Sequence, residues 1–250
     1  NAIHYKIEPI LSTTKNAMSR VISNGLIESV CEDPKLSKSS TYYTMGQLQS
    51  ELHATGRLSE AIQDEYIYFA RGDFILSRSD ILGKDEMDEL FVRDLGLSPS
   101  DMDSLLQSVK SLTFQLLPSA KGTQAFLIHS IPANGSYKDG AVLIFVLDSE
   151  LFLDSLKIHS QAEGRFAAII DKNNTLLLSG TWPNKRIIHQ GNHSGVLNVE
   201  YGKGSGRIVA ACTSSETSGW EYVTGIPYSI LMSSISRVMK VIFIFIALGI

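Results

Sequence analysis

The 250-residue chain is short of cysteine and of positive charge, and each shortage excludes classes of protein. Its only cysteines are Cys31 and Cys212, and two thiols so far apart in sequence form neither a disulfide framework nor a zinc site. We expect both to be unpaired and buried, with one disulfide between them as the alternative. The formal net charge is −4, and the sequence shows no basic stripe that would bind nucleic acid.

Sequence motifs of catalysis are missing as well. There is no Gly-x-Ser-x-Gly elbow and no His-Glu-x-x-His helix, so an extracytoplasmic hydrolase, which needs a nucleophile beside a base, has no support. His189 and His193 have the spacing of helical metal ligands, but Gly191 lies between them and no third ligand is evident, which favours a loop. The glycine-rich residues 202–206 lack the spacing of a phosphate-binding loop and predict a hairpin turn. We therefore expect no catalytic residue, no metal and no cofactor.

A feature that is present is an apolar C-terminal run. Residues 241–250 contain no polar side chain. A membrane-spanning helix needs about 20 apolar residues, so this run supplies half of one. We expect residues 237–250 to begin a transmembrane helix, with a buried C-terminal element or a hydrophobic surface for a partner as the alternatives. If the preceding domain is extracytoplasmic, Arg237 and Lys240 lie on the less usual side of the positive-inside rule.

Helical spacing marks the N-terminal part of the chain. Apolar residues recur every three or four positions, which predicts one long helix over residues 1–33. Gly25 weakens this pattern, and Pro34 ends it because proline disfavours helix in the residue before it. A helix of that length reaches about 45 Å, which exceeds what a small core needs and predicts a spine along which other modules pack. We expect a Ser/Thr-rich loop over residues 35–44 and a second helix over residues 45–64.

Strand and turn signals then occur in two series of the same order, and this repetition predicts the fold class. Each series has a hairpin, further strands and a closing strand that runs from a glycine into an amphipathic helix. The first series has strands at residues 66–69, 74–77, 113–117, 125–130 and 141–147, with a helix capped by Ser98 and begun by Pro99 in its longer insert. The second has strands at residues 166–170, 175–179, 196–201 and 207–212. We expect an α+β protein with two stacked modules, each built on a central antiparallel sheet.

Four segments carry a resemblance to a known family: residues 66–80, 140–152, 164–180 and 214–235. With the long first helix, they resemble the double Cache sensor domain of bacterial membrane receptors, a PAS-like fold of two five-stranded modules. The last segment looks most like the sensors of AraC-type transcription regulators and histidine kinases. The resemblance implies an extracytoplasmic domain between two transmembrane helices, a homodimer along the N-terminal helix, and a small-molecule ligand in the membrane-distal module.

The sequence departs from the amino-acid-binding members of that family. Those members carry an Arg-x-Trp-Tyr motif after the first hairpin. The corresponding stretch here contains Arg93 without Trp-Tyr, and both tryptophans, Trp182 and Trp220, belong to the second module. An α-amino-acid ligand is therefore not supported.

The candidate ligand-binding residues are polar side chains on the strands of the first module, where they could fix a small polar ligand on one side of the sheet. They are Tyr66, Tyr68, Arg78, Gln115, His129 and Ser130. The alternative for Tyr66 and Tyr68 is that they are half-buried packing aromatics.

Together these patterns predict a ligand sensor at the cell membrane. We expect a spine helix at residues 1–33, a membrane-distal module at 34–158, a membrane-proximal module at 159–236 and a transmembrane start at 237–250. Ligand binding in the distal module would shift the packing of the spine helix and act through an exit helix at residues 228–240, provided the ligand binds one arrangement better than the other. The alternative is a membrane-tethered solute-binding protein without signalling output.

Overall fold

A computed structural model describes residues 2–32, 39–109, 111–132, 140–160, 165–171, 176–179, 186–188, 194–201 and 204–247. The chain divides into an N-terminal unit, Pro9–Leu151, and a C-terminal unit made of Asn1–Glu8 and Phe152–Ile250. Each unit contains one six-stranded antiparallel sheet, which confirms the predicted α+β class. The boundaries expected after residues 33, 158 and 236 stay predictions. His189 and His193 lie outside the described residues.

The predicted N-terminal helix is broken in two, so its continuity over residues 1–33 was wrong. Helix α1 spans Ala2–Ser23 and helix α2 spans Leu26–Glu32. Gly25 separates them in the left-handed conformation, with φ of +70°. The side chain of Asn24 accepts a hydrogen bond from the backbone N–H of Leu26 (3.0 Å). A left-handed glycine ends a helix at little cost, and the Asn24 oxygen satisfies a donor at the start of the next.

Helix α3 spans Ser39–Thr55, so the loop expected over residues 35–44 was wrong for residues 39–44, and the helix expected over residues 45–64 ends earlier. Residues 35–38 lie outside the described part of the chain. Hydroxyl side chains are compatible with the helix because they bond back to its carbonyls, as Thr44 does to the oxygen of Ser40 (3.1 Å). The helix ends just before Gly56, a poor helix former. The apolar residues beyond Gly56 belong to a turn and to the first strand.

The N-terminal sheet contains both predicted features of the first series, the hairpin and the three later strands. Its strands are β1 (Ile62–Phe69), β2 (Phe74–Ser77), β3 (Ile81–Gly83), β4 (Thr113–Ser119), β5 (Gly122–Ile131) and β6 (Ala141–Leu147), in the spatial order β3-β2-β1-β6-β5-β4. The insert between β3 and β4 forms helix α4 (Lys84–Leu90), a π-helical turn (Phe91–Leu95) and helix α5 (Pro99–Ser108). Ser98 caps α5 as predicted, and its hydroxyl accepts the backbone N–H of Asp101.

Both faces of this sheet are covered. Every residue of the central strand β6 is fully buried, although successive side chains of a strand point to opposite faces. On one face, side chains of α4, the π-helical turn and α5 pack against the sheet as a single apolar cluster. Helix α3, which is not part of that cluster, contacts β2 and α2. The buried hydroxyls of Thr14 on α1 and Ser59 after α3 bond to each other (3.2 Å).

The C-terminal sheet repeats the order of five strands of the first sheet. Helix α6 (Ser149–Ser160) leads into β7 (Phe166–Ile170), β8 (Leu176–Ser179), β9 (Arg186–Ile188), β10 (Ser194–Tyr201), β11 (Gly204–Ser214) and β12 (Glu221–Pro227), and helix α7 (Tyr228–Ala247) follows. The sheet order is β8-β7-β12-β11-β10-β9. Five strands of each sheet therefore share one topology, and each sheet adds one strand at a different edge. The sequence repetition is thus a structural duplication.

The first turns of α1 are fixed to the C-terminal sheet. The carboxylate of Glu8 accepts the backbone N–H of Thr217 (3.0 Å) and the hydroxyl of Tyr222 (3.4 Å). The ring of His4 packs edge-on against that of Tyr222, with centroids 5.8 Å apart. These contacts bind the start of the helix to the turn between β11 and β12.

The structure bears on the expected membrane segment only through α7. Helix α7 exposes several large apolar side chains, among them Val238 and Ile246, which are 59% and 66% exposed. Within the part of the chain that the structure describes, no helix is both long enough and apolar enough to span a membrane. Residues 248–250 lie outside that part.

Two glycines of the α3 region give a matched test of this packing. A Cβ at Gly56 would overlap the Glu65 carboxylate and the Arg78 guanidinium, whereas a Cβ at Gly46 within α3 meets nothing within 4 Å. We expect Gly56→Ala to lower the free energy of unfolding by about 1–3 kcal/mol because it overpacks a buried contact. Gly46→Ala should raise it, by up to about 1 kcal/mol, because alanine is the better helix former. Urea unfolding of both variants measures this, and equal effects would contradict the described packing.

Candidate ligand sites

The predicted ligand residues divide between the two faces of the N-terminal sheet. Residues that face each other across antiparallel strands lie on the same face. Tyr68 is paired with Val142, and Val142 with Ser130, so Tyr68 and Ser130 share a face. Gln115 is paired with Phe126, a member of the same apolar cluster. Tyr66 also belongs to that cluster, so four of the six candidates lie on the face covered by α4 and α5.

Tyr66 and Tyr68 are buried members of the apolar cluster. They are 7% and 6% exposed, and the ring of Tyr66 lies against Phe91 with centroids 5.2 Å apart. Burial raises the pKa of the Tyr66 hydroxyl, which keeps it neutral. The hydroxyl of Tyr68 donates to the carboxylate of Asp73 at the hairpin turn (3.0 Å). The space above these two rings is filled by apolar side chains of the insert, so neither ring lines a described cavity.

Arg78 and His129 belong to different surroundings. His129 is paired with Leu143. The residues on either side of Leu143, Val142 and Ile144, belong to the apolar cluster that contains Tyr68. Because successive side chains of a strand point to opposite faces, His129 lies on the other face of the sheet from Tyr68. Its Nδ1 is buried without a hydrogen-bond partner among the described residues, and burial lowers the pKa of the imidazole. Arg78 forms an ion pair with Glu65 beside Gly56. The structure therefore does not bring the six candidates into one site.

Gln115 is the one candidate that lines a cavity among the cavities that the described residues form. A cavity of about 300 Å³ lies between α5 and β4. Its lining consists of Asp101, Ser104, Leu105, Ser108, Gln115, Leu117 and Pro118. The side-chain amide of Gln115 donates to the hydroxyl of Ser108 (3.0 Å), which joins the strand to the helix. Hydrogen bonds from Ser98 lower the pKa of Asp101, so its carboxylate is ionised at neutral pH.

Sequence reasoning missed the α5 side of this cavity. Asp101, Ser104 and Ser108 recur every three or four residues, and such residues share one face of a helix. That periodicity was visible in the sequence as the polar face of an amphipathic helix. It did not indicate a site because a polar helical face is usually only a solvated surface. This polar face becomes part of a cavity because α5 lies beside β4, and that position is known only from the folded structure.

The ion pair of Glu65 and Arg78 joins β1 to the residue after β2. The Glu65 side chain is fully buried, whereas that of Arg78 is 30% exposed. Burial raises the pKa of Glu65, and the hydrogen bond and charge of Arg78 oppose this shift. Among the described residues, Glu65 Oε1 and Arg78 Nη2 are buried without a hydrogen-bond partner. Arg78 thus favours the ionised form of a buried carboxylate, which is a structural role.

Removing either partner should therefore have unequal effects. Arg78→Met leaves a buried carboxylate without its cation and should lower the free energy of unfolding by about 3–5 kcal/mol. Glu65→Gln should cost less, about 1–3 kcal/mol, because the partly exposed guanidinium can turn to water. In Arg78→Met the pKa of Glu65 is raised further in the folded state. The folded state then takes up the proton first, so the deficit should shrink as the pH falls from about 7 towards 5.

Denaturant unfolding of both variants at several pH values measures these differences. Equal losses, or a deficit in Arg78→Met that grows on acidification, would contradict a buried Glu65 that depends on Arg78.

Comparisons with known proteins identify the fold of the chain. No family model and no curated protein matches the chain. Among solved structures, the extracellular domain of the histidine kinase rpHK1S-Z16 is 12% identical, with a TM-score of 0.53 over 92% of this chain and 93% of that chain. The ligand-binding domain of the Pseudomonas aeruginosa amino acid chemoreceptor PctC, in complex with GABA, is 14% identical, with a TM-score of 0.49 over 90% and 95% of the two chains.

A third neighbour is the sensor domain of the V. cholerae histidine kinase DctB, at 10% identity and a TM-score of 0.44 over 90% of this chain and 97% of that chain. These neighbours are sensory domains of histidine kinases and chemoreceptors. At such identities only the fold carries over. The chain has the PAS- and Cache-like α+β fold of extracellular sensor domains, with an N-terminal helix and two antiparallel sheets.

Proposed function

We propose that this chain is the extracytoplasmic ligand-sensing domain of a bacterial transmembrane receptor. The observation that carries the proposal is the shared fold with the extracellular domain of a histidine kinase, which extends over 92% of this chain. The mechanism needs a ligand that binds one arrangement of the domain better than another, and it needs no catalytic group. Among the described residues there is no cluster of His, Cys, Asp or Glu that could hold a metal ion.

The cavity between α5 and β4 is the ligand site that we propose in the N-terminal unit. It combines a carboxylate, two hydroxyls and an amide with the apolar surfaces of Leu105, Leu117 and Pro118. Such a lining favours a small polar ligand that donates hydrogen bonds to Asp101 and rests its carbon skeleton on the apolar side. A hydroxyl-rich molecule or a cationic one fits this chemistry, and a polyanion does not.

Helix α1 is the element that could transmit ligand binding. It has one polar anchor in each unit, Glu8 with Thr217 in the C-terminal unit and Thr14 with Ser59 in the N-terminal unit. Pro9 lies between these anchors and lacks the N–H that a regular helix would use there. A conformational change in the N-terminal unit would therefore act on a helix whose other end is bonded to the C-terminal unit through Glu8.

The family resemblance supports two further parts of the proposal. One is attachment to a membrane beside the apolar end of α7, with a kinase or an AraC-type DNA-binding domain as the output. The other is a homodimer along the N-terminal helix. The exposed side of α1 carries Tyr5, which is 78% exposed, followed by small polar residues such as Ser12 and Ser19 that allow a second helix to approach closely.

A thermal-shift screen of the full chain tests the ligand site. Sugars, oligosaccharides, organic acids, amino acids and peptides are the probes, and a ligand at a hundredfold excess over its Kd should add about 2.7 kcal/mol of stability. We expect one class to raise the melting midpoint and Gln115→Ala to reduce that shift strongly. Gln107→Ala changes an exposed residue of α5 that does not line the cavity, so this control should leave the shift unchanged. No shift for any class, or an equal shift in Gln115→Ala, would contradict the proposed site.

The dimer is tested separately by sedimentation of the full chain. Tyr5→Ser removes the largest exposed side chain of α1 and should weaken self-association about tenfold or more if α1 forms the contact. Tyr43→Ser removes a comparably exposed ring from α3 and is the matched control. A monomer at all concentrations, or a dimer that Tyr5→Ser does not weaken, would contradict a dimer along α1.

A further inference from the structure

Helix α7 is exposed along most of its length. It contacts β11 and β12 of its own sheet, and Tyr228 and Leu231 near its start are half-buried. From Met232 to Ile246, every side chain that the structure describes is exposed. A helix of 20 residues extends about 30 Å, and most of the stability of a helix comes from the packing of its apolar face. Within the described residues, α7 beyond its first turn is therefore left largely uncovered.

The exposed apolar side chains of α7 follow a seven-residue repeat, or heptad. Five of them, between 41% and 66% exposed, are spaced alternately by three and four residues. We call these five the α7 seam: Met232, Ile235, Met239, Ile242 and Ile246. A mean spacing of 3.5 residues is the period of a helix that packs along a second helix, and in order the five occupy heptad positions a, d, a, d and a. Val238 is exposed beside the seam, and Ile230, in the first turn, lies outside it.

The charged residues of α7 lie off the seam. Arg237 and Lys240 occupy positions f and b of the same heptad, on the side of the helix that is turned away from a partner. A symmetric pair brings identical surfaces together, so a cation on the seam would face its own copy and repel it. The two basic side chains avoid that repulsion. A lipid surface would favour a wider apolar face, whereas a stripe centred on positions a and d is the narrow seam of paired helices.

We infer that α7 packs in parallel against α7 of a second copy of this chain, with the α7 seam as the contact. The parallel direction follows from the sequence, because residues 241–250 contain no polar side chain, whereas Ser229, Ser233 and Ser236 precede them. An antiparallel pair would place the apolar end of one helix beside the serines of the other. In a parallel pair like residues meet, and the methionines at position a can adapt their rotamers to the partner. This contact is separate from the dimer proposed along α1.

Disulfide cross-linking of the full chain in detergent, with copper phenanthroline as the oxidant, tests this inference. Ile235→Cys and Ile242→Cys place thiols on the α7 seam one heptad apart, and Ser233→Cys and Arg237→Cys place them off it. We expect both seam variants to form disulfide-linked dimers about tenfold faster or more than both off-seam variants, because a parallel pair brings identical seam positions within disulfide distance. All four side chains are exposed, so the substitutions should not prevent folding.

Two controls separate this contact from other ones. The unaltered chain gives the baseline, since burial raises the pKa of the Cys31 and Cys212 thiols and so slows their reaction. Adding Tyr5→Ser should leave the difference between seam and off-seam variants unchanged, so failure of the dimer along α1 does not imply failure of this pairing. The inference is overturned if seam and off-seam thiols cross-link equally fast, if Ile235→Cys cross-links and Ile242→Cys does not, or if no position cross-links, as expected for a helix covered by lipid alone.

Discussion

The complete burial of strand β6 is the constraint on which the N-terminal unit depends. A strand in the middle of a sheet that shows no side chain to water on either face requires a layer of structure over both faces. Helices α4 and α5 with the π-helical turn supply one layer by packing Met87, Phe91 and Met102 onto the sheet. The sheet face that carries Tyr66 and Tyr68 is therefore occupied by protein, and the ligand site that we propose lies at the margin of that layer, where α5 meets β4.

This arrangement would connect the proposed ligand site to the core of the N-terminal unit. The insert that fills the sheet face also forms one wall of the cavity beside Gln115, so a ligand there contacts a layer that packs on the core. Helix α1 has residues in both units and a polar anchor in each. A bound ligand therefore has a continuous helix through which its effect could reach the C-terminal unit, provided that it favours one of two arrangements.

Periodicity predicted the elements, and packing decided their roles. The strands and the duplication followed from local alternation and turn residues, and the Ser98 cap from its neighbour Pro99. The break at Gly25 could not be located because glycine adopts the helical and the left-handed conformation about equally readily, and the sequence does not show which of them the packing selects. Tyr66 and Tyr68 have polar groups that could bind a ligand, but side chains of the insert between β3 and β4 bury them, and the local sequence does not show this packing. Arg78 was expected near a ligand, and its partner Glu65 is a buried carboxylate whose burial no local pattern shows.

Hydrogen–deuterium exchange of the full chain, with and without a ligand from the screen, tests the central claim most directly. If the chain is a sensor, the ligand should protect α5 and β4 and also change exchange in α1 and α7, far from the bound molecule in sequence. Protection confined to α5 and β4, with α1 and α7 unchanged at saturating ligand, would contradict the account. That result would indicate a protein that binds a solute but does not transmit the effect of binding to α1 and α7.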